Sequence, residues 1–131
     1  MLLRDWILGF FVLAYAGPAL GCGCYRNLNG DTAELVFKGT PVKINHWLRK
    51  GDSPGGANSE MARVTFEIAE LRKGVAMKKV VVETYTNSCG LRFEIGEEYV
   101  VYAYSETDLG IQWAADVCSE TARSKPHAAA K

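Results

Sequence analysis

Histidine is nearly absent: across 131 residues the chain holds only His46 and His127. Neither sits in a zinc-protease helix, a nucleophile elbow or a phosphate loop, so no enzyme active site is expected, and both read as structural or incidental. Net charge is missing as well. The 15 Lys plus Arg balance the 15 Asp plus Glu, and a neutral chain lacks the electrostatic footprint that nucleic-acid binding needs. After Cys22 no long stretch shows a 3.6-residue apolar period, which excludes a helical core, although residues 119–123 could make one turn of helix. There is no glycosylation sequon, no internal repeat and no low-complexity tract beyond the terminal alanines. No cofactor or resident metal is expected.

What the chain does have begins with an apolar leader. Arg4, the run Trp6-Ile-Leu-Gly-Phe-Phe-Val-Leu-Ala-Tyr-Ala16, the breaker Gly17-Pro18, and small Ala19 and Gly21 ahead of Cys22 are the parts of a secretory signal. The run is too short to span a bilayer. Cleavage between Gly21 and Cys22 would make Cys22 the first residue of an exported chain with no transmembrane segment. A second small-x-small site, after Ala16, would leave residues 17–21 in front of Cys22. Lipidation at Cys22 or Cys24 is a third route, though Pro18 and Ala19 make a poor lipidation box. Residues 22–123 then suffice for one domain, expected to be a monomer, with a loose tail at 124–131.

Four cysteines, Cys22, Cys24, Cys89 and Cys118, remain in an exported chain, where oxidation favours disulfides. Joining Cys22 to Cys24 would close a cramped ring that hardly constrains the unfolded chain, so their partners should be Cys89 and Cys118, in either order. A lipid on the sulfur of Cys22 would leave one thiol unpaired. Lipidation at Cys24 would discard Cys22 and leave an even pair.

Strand signals fill the rest. Residues 34–46 are β-rich and interrupted by Gly39 and Pro41, which indicates a bulge or sharp bend, with Val42, Ile44 and His46 on one inward face. Residues 51–59 are a loop by composition, a hairpin tip or mobile flap. Val64, Phe66 and Ile68 alternate in a second strand that slips phase to Leu71 and closes at Arg72-Lys73-Gly74. Residues 79–85 hold enough β-branched side chains for a strand buried over most of its length. Residues 98–104 make a fourth strand, and Ile111, Trp113, Ala115 and Val117 alternate in a fifth. Trp47, Trp113 and Tyr99, Tyr102 and Tyr104 could form a stacking platform, but their alternation with Val and Ala favours core. Lys78-Lys79 and Glu97-Glu98 read as strand-end charges that discourage edge pairing. Five strands with a bent first one predict an all-β fold, a five-stranded OB-fold barrel.

Several short motifs also occur in a telling order: Cys22-Gly23-Cys24, Val36-Phe37-Lys38-Gly39, Leu71-Arg72-Lys73-Gly74, Cys89-Gly90, Phe93-Glu94-Ile95-Gly96, Tyr99-Val100-Val101-Tyr102-Ala103 and Cys118-Ser119-Glu120-Thr121. With them the chain resembles the tissue inhibitor of metalloproteinases family, in its amino-terminal netrin-like domain and short bacterial single-domain relatives. The resemblance implies the OB barrel and the pairings Cys22–Cys89 and Cys24–Cys118. It also implies a partner, a zinc metalloprotease, whose catalytic metal is bound by the α-amine and carbonyl of Cys22. The inhibitory ridge it implies comprises Gly23, Cys24 and Tyr25 together with Thr86, Asn87 and Ser88. The alternative is a non-inhibitory netrin-like module that binds a protein or glycan at the cell envelope. The chain departs from the family at Gly23, where Thr or Ser commonly fills the protease's main specificity pocket. An unfilled pocket forfeits about 1–3 kcal/mol.

Overall fold

The computed structural model describes residues 22–24, 27–51, 58–106 and 111–125. The leader at 1–21, Tyr25, His127 and the tail beyond Lys125 lie outside the described residues. Among those described, six strands form and no helix: β1 (Leu35–Arg49), β2 (Ser59–Lys73), β3 (Lys79–Tyr85), β4 (Tyr99–Glu106), β5 (Ile111–Ala114) and β6 (Ala122–Arg123). The first five close into a ring in the order β1-β2-β3-β5-β4, completed by antiparallel pairing of β1 with β4. Among the described strand pairs, only β3 and β5 run parallel.

The bend in β1 lets one strand serve two neighbours. Residues 35–39 pair with β4, from Leu35↔Ala103 to Gly39↔Tyr99, while the strand pairs with β2 from Val36↔Lys73 to Arg49↔Ser59. Register shifts fall at Val36/Phe37, Lys38/Gly39 and Pro41/Lys43, as expected where Pro41 has no N–H to give the ladder. A Cβ on Gly39 would stand 2.7 Å from the Glu67 carbonyl oxygen, so the crossing requires glycine. The last β1–β2 pair is Arg49↔Ser59; the loop expected at 51–59 falls mostly on residues 52–57, which lie outside the described residues.

The ring is filled by Leu35 and Phe37 of β1, Val64 and Phe66 of β2, Val80 and Val82 of β3, and Tyr99, Val101 and Ala103 of β4. Each fully buried large side chain contributes about 1.5–3 kcal/mol. Phe37, Phe66, Phe93 and Tyr99 pack edge to face in a chain with centroids 5.2, 4.9 and 4.9 Å apart. Outside the ring Leu28, Ala33 and Val36 are buried against Val100, Tyr102 and Tyr104, so the segment before β1 covers the outer face of β4. A third cluster gathers Met61, Ile111 and Ala114 with Trp47, Tyr85 and Tyr104.

Three expectations are corrected. The register shift at Pro41/Lys43 takes Val42 out of the inward row, leaving it 41% exposed, whereas Ile44 packs on the core and His46 shares its face but is exposed at the rim of a cleft. Strand β3, by contrast, is buried over most of its length as expected, at Val80, Val82, Glu83 and Thr84, with Val81 facing out. Strand β5 ends at Ala114. Ala115 donates its N–H to the Glu83 carbonyl (3.0 Å) and the chain turns at Val117 and Cys118, leaving Val117 exposed. Residues 119–123 form an isolated parallel bridge, Leu28↔Ser119, and strand β6 instead of a helical turn. The aromatic residues divide: Tyr99 is core and Trp113 packs on it, whereas Trp47, Tyr102 and Tyr104 belong to the outer clusters.

Candidate functional site

Both staples form, Cys22–Cys89 with Cα atoms 5.4 Å apart and Cys24–Cys118 with 5.6 Å. No described cysteine is free. Their distal halves meet, because the Val117 N–H donates to the Cys89 carbonyl (3.1 Å), so Cys22 and Cys24 are tied down at one end of the ring. Cys22 is half-buried, and Gly23 and Cys24 are exposed. A Cβ on Gly23 would meet nothing within 4 Å.

The bond to Cys89 brings Cys22 next to the turn that leaves β3. Thr86 donates both its N–H and its hydroxyl to the Glu60 carbonyl, each at 3.2 Å. Asn87 closes the turn twice over: its side-chain oxygen accepts the Cys89 N–H (2.9 Å) and its carbonyl accepts the Gly90 N–H (3.0 Å). Such local bonding is what Asn does in turns. Gly90 lies so close to the end of β3 that any Cβ would run into the Tyr85 carbonyl. Leu91 then donates its N–H to the Thr84 hydroxyl (2.9 Å). Asn87 and Ser88 stay exposed and Thr86 half-buried. Of the residues singled out as a ridge, Cys22, Gly23, Cys24, Thr86, Asn87 and Ser88 are thus linked by one disulfide at one end of the molecule. Tyr25 lies outside the described residues.

The second staple has its own support. Asp116 accepts the Cys118 N–H at 2.8 Å and the Tyr104 hydroxyl at 3.5 Å. Burial, then the charges of Glu106 and Asp116, push the Tyr104 hydroxyl well above its usual range, so it remains a neutral donor. The Leu28 N–H donates to the Cys118 carbonyl (3.0 Å), and the Leu28 carbonyl accepts from Glu120 (2.8 Å). Asp116 was not singled out by the sequence reading; an Asx residue two positions before a cysteine is the signal that could have found it.

All four sulfurs are consumed in disulfides, which leaves no thiolate for metal or redox chemistry. Among the described residues no group of three or more His, Cys, Asp and Glu is placed to hold a metal, and no helix is long and apolar enough to cross a membrane. No protein-family model matches the chain, and no curated protein matches it significantly.

Proposed function

We propose that this is an exported OB-fold barrel of the tissue inhibitor of metalloproteinases type, which blocks a zinc endopeptidase with the α-amine and carbonyl of Cys22. A catalytic zinc has three protein ligands and a water in its open position. An α-amine, with a reference pKa of about 8, gives up its proton to a metal at modest cost. Amine and carbonyl of one residue make a five-membered chelate that displaces the hydrolytic water. The observation that carries this reading is the tether: Cys22 is anchored through sulfur to Cys89 while Gly23, Cys24, Asn87 and Ser88 stay exposed beside it. A chelating residue already held in place has little ordering entropy left to lose on binding.

The reading makes Cys22 the first residue of the exported chain, since any residue or acyl group in front of it removes the nitrogen ligand. The test is a pair of purified, oxidised proteins, one starting at Cys22 and one with an alanine placed ahead of it, assayed against a panel of zinc endopeptidases. Inhibition by the first and its loss in the second is the expected outcome. Equal inhibition by both would refute chelation.

One observation favours a second reading. Gly23 offers no side chain to a specificity pocket, which suits a netrin-like module that binds an envelope protein or glycan through its surface and uses the Cys-x-Cys start only as a staple. Such a module would show no inhibition and no sensitivity to the added alanine.

A further inference from the structure

Beside the Cys22–Cys89 staple the ring is open. A cleft of about 370 Å³ runs from Thr86 along the inner face of the β1–β2 hairpin and is walled on its other side by residues 91–94. Its floor is apolar, formed by Ile44, Ala62, Val64, Leu91 and Phe93. The wall is fixed at both ends: Leu91 donates to Thr84 (2.9 Å), and the Glu94 N–H donates to the Tyr99 hydroxyl (2.8 Å). Phe93 is held between them by edge-to-face contact with Phe66 and Tyr99. The cleft is therefore preformed, and a guest need not order it.

Size and charge narrow the guest. Ligand pockets run to roughly 300–1,000 Å³, and a cleft of about 370 Å³ has room for one large side chain together with part of its neighbour. Besides Tyr85, three ionisable residues line the cleft. Glu94 is already paired with Arg123 (3.2 Å), whereas among the described residues Arg92 and His46 make no ion pair or side-chain hydrogen bond, and both are exposed. The unpaired charge at the mouth is that of the Arg92 guanidinium.

We infer that this cleft is a peptide-binding subsite that takes a large apolar side chain from an extended segment of a partner protein, with an acidic residue directly after it set against Arg92. The cleft shares Thr86 with the ridge, so a partner that covers the ridge reaches it without a break. The subsite stands apart from metal chelation, because none of its groups includes the Cys22 amine.

The probes are three acetylated, amidated dipeptides, Phe-Glu, Phe-Lys and Gly-Glu, titrated into the isotope-labelled, oxidised protein and followed by amide chemical shifts. Phe-Glu should shift Ala62, Val64, Leu91 and Phe93 saturably in the millimolar range. Phe-Lys should bind about threefold more weakly, the modest worth of an exposed ion pair, and Gly-Glu about tenfold more weakly for want of the apolar group. R92E, at an exposed position that leaves folding intact, should make Phe-Lys the better ligand. No shift at the four floor residues, equal binding of the three probes, or an unchanged preference in R92E would overturn the inference. An alanine added ahead of Cys22 should leave every one of these titrations unchanged, so the subsite and the chelating amine succeed or fail separately.

Discussion

Two glycines near the staple stand in opposite situations. Position 23 is open, with nothing within 4 Å of a Cβ, while position 90 is closed by the Tyr85 carbonyl. Gly23→Thr should therefore fold normally and, where an unfilled pocket limits inhibition, tighten it by about 1–3 kcal/mol, roughly tenfold or more; an unchanged inhibition constant would dismiss the pocket explanation. Gly90→Ala should lower stability by about 1–3 kcal/mol in denaturant titration, because overpacking forces the backbone at the end of β3 to shift. A third residue-scale case is Glu83, 5% exposed and held by Arg63 at 2.9 Å, with the Arg63 guanidinium 5.2 Å from the Trp47 ring centroid. Arg63→Met leaves a buried carboxylate unpaired and should cost about 1–3 kcal/mol, less than a fully buried pair because Arg63 is half in water. Adding Glu83→Met should recover most of that loss. A double mutant as unstable as the single one would show that the packing, not the charge pair, matters.

Among the elements, β6 is the shortest and depends on its neighbours most. It pairs with β4 at Tyr99 and Val100, and the next residue, Ser124, donates its N–H to the Glu98 carbonyl (2.9 Å) and its hydroxyl to the Glu98 carboxylate (2.6 Å). The Ser124 hydroxyl first, and Lys38 at 3.6 Å after it, hold the Glu98 carboxyl below its ordinary value of 4.5. A lowered folded-state pKa means that the unfolded chain binds the proton more readily, so this contribution is present above pH 4.5 and is lost as pH falls below it. Glu98→Gln should flatten the fall of melting temperature on that acid side and leave the neutral range nearly unchanged in slope. The alternating stretches, 64–68 of β2 and 99–103 of β4, were legible in the sequence because burial on one face writes a period of two. What was not legible depends on contacts distant in sequence. The bulge beside Pro41 turns Val42 outward, and β5 stops short as the chain turns to place Cys118 against Cys24. Residues 119–123 straighten because Leu28 and β4 offer them backbone partners. For the site, the cysteines marked which segments meet, while Gly90 depends on its approach to Tyr85, Asp116 on its bonds to Cys118 and Tyr104, and the Arg92 cleft on the β1–β2 hairpin facing residues 91–94.

For the whole molecule the two disulfides span sequence separations of 67 and 94 residues. Loops of that size are each worth about 4 kcal/mol in the chain-entropy picture, whose mechanism is model-dependent. Replacing Cys24 and Cys118 together by serine should cost about 2–5 kcal/mol in denaturant unfolding, and a loss well under 1 kcal/mol would mean that the segment before β1 is held by Leu28 and its neighbours alone. Both staples serve the same end of the ring, and the proposed inhibition works only if that end begins with a free nitrogen. The decisive measurement is the intact mass and amino-terminal sequence of the exported protein. The expected result is a chain that starts at Cys22 with an unmodified amine and a mass reduced by the hydrogens lost in two disulfides. A start at Gly17, or an acyl group on a cysteine, would contradict it.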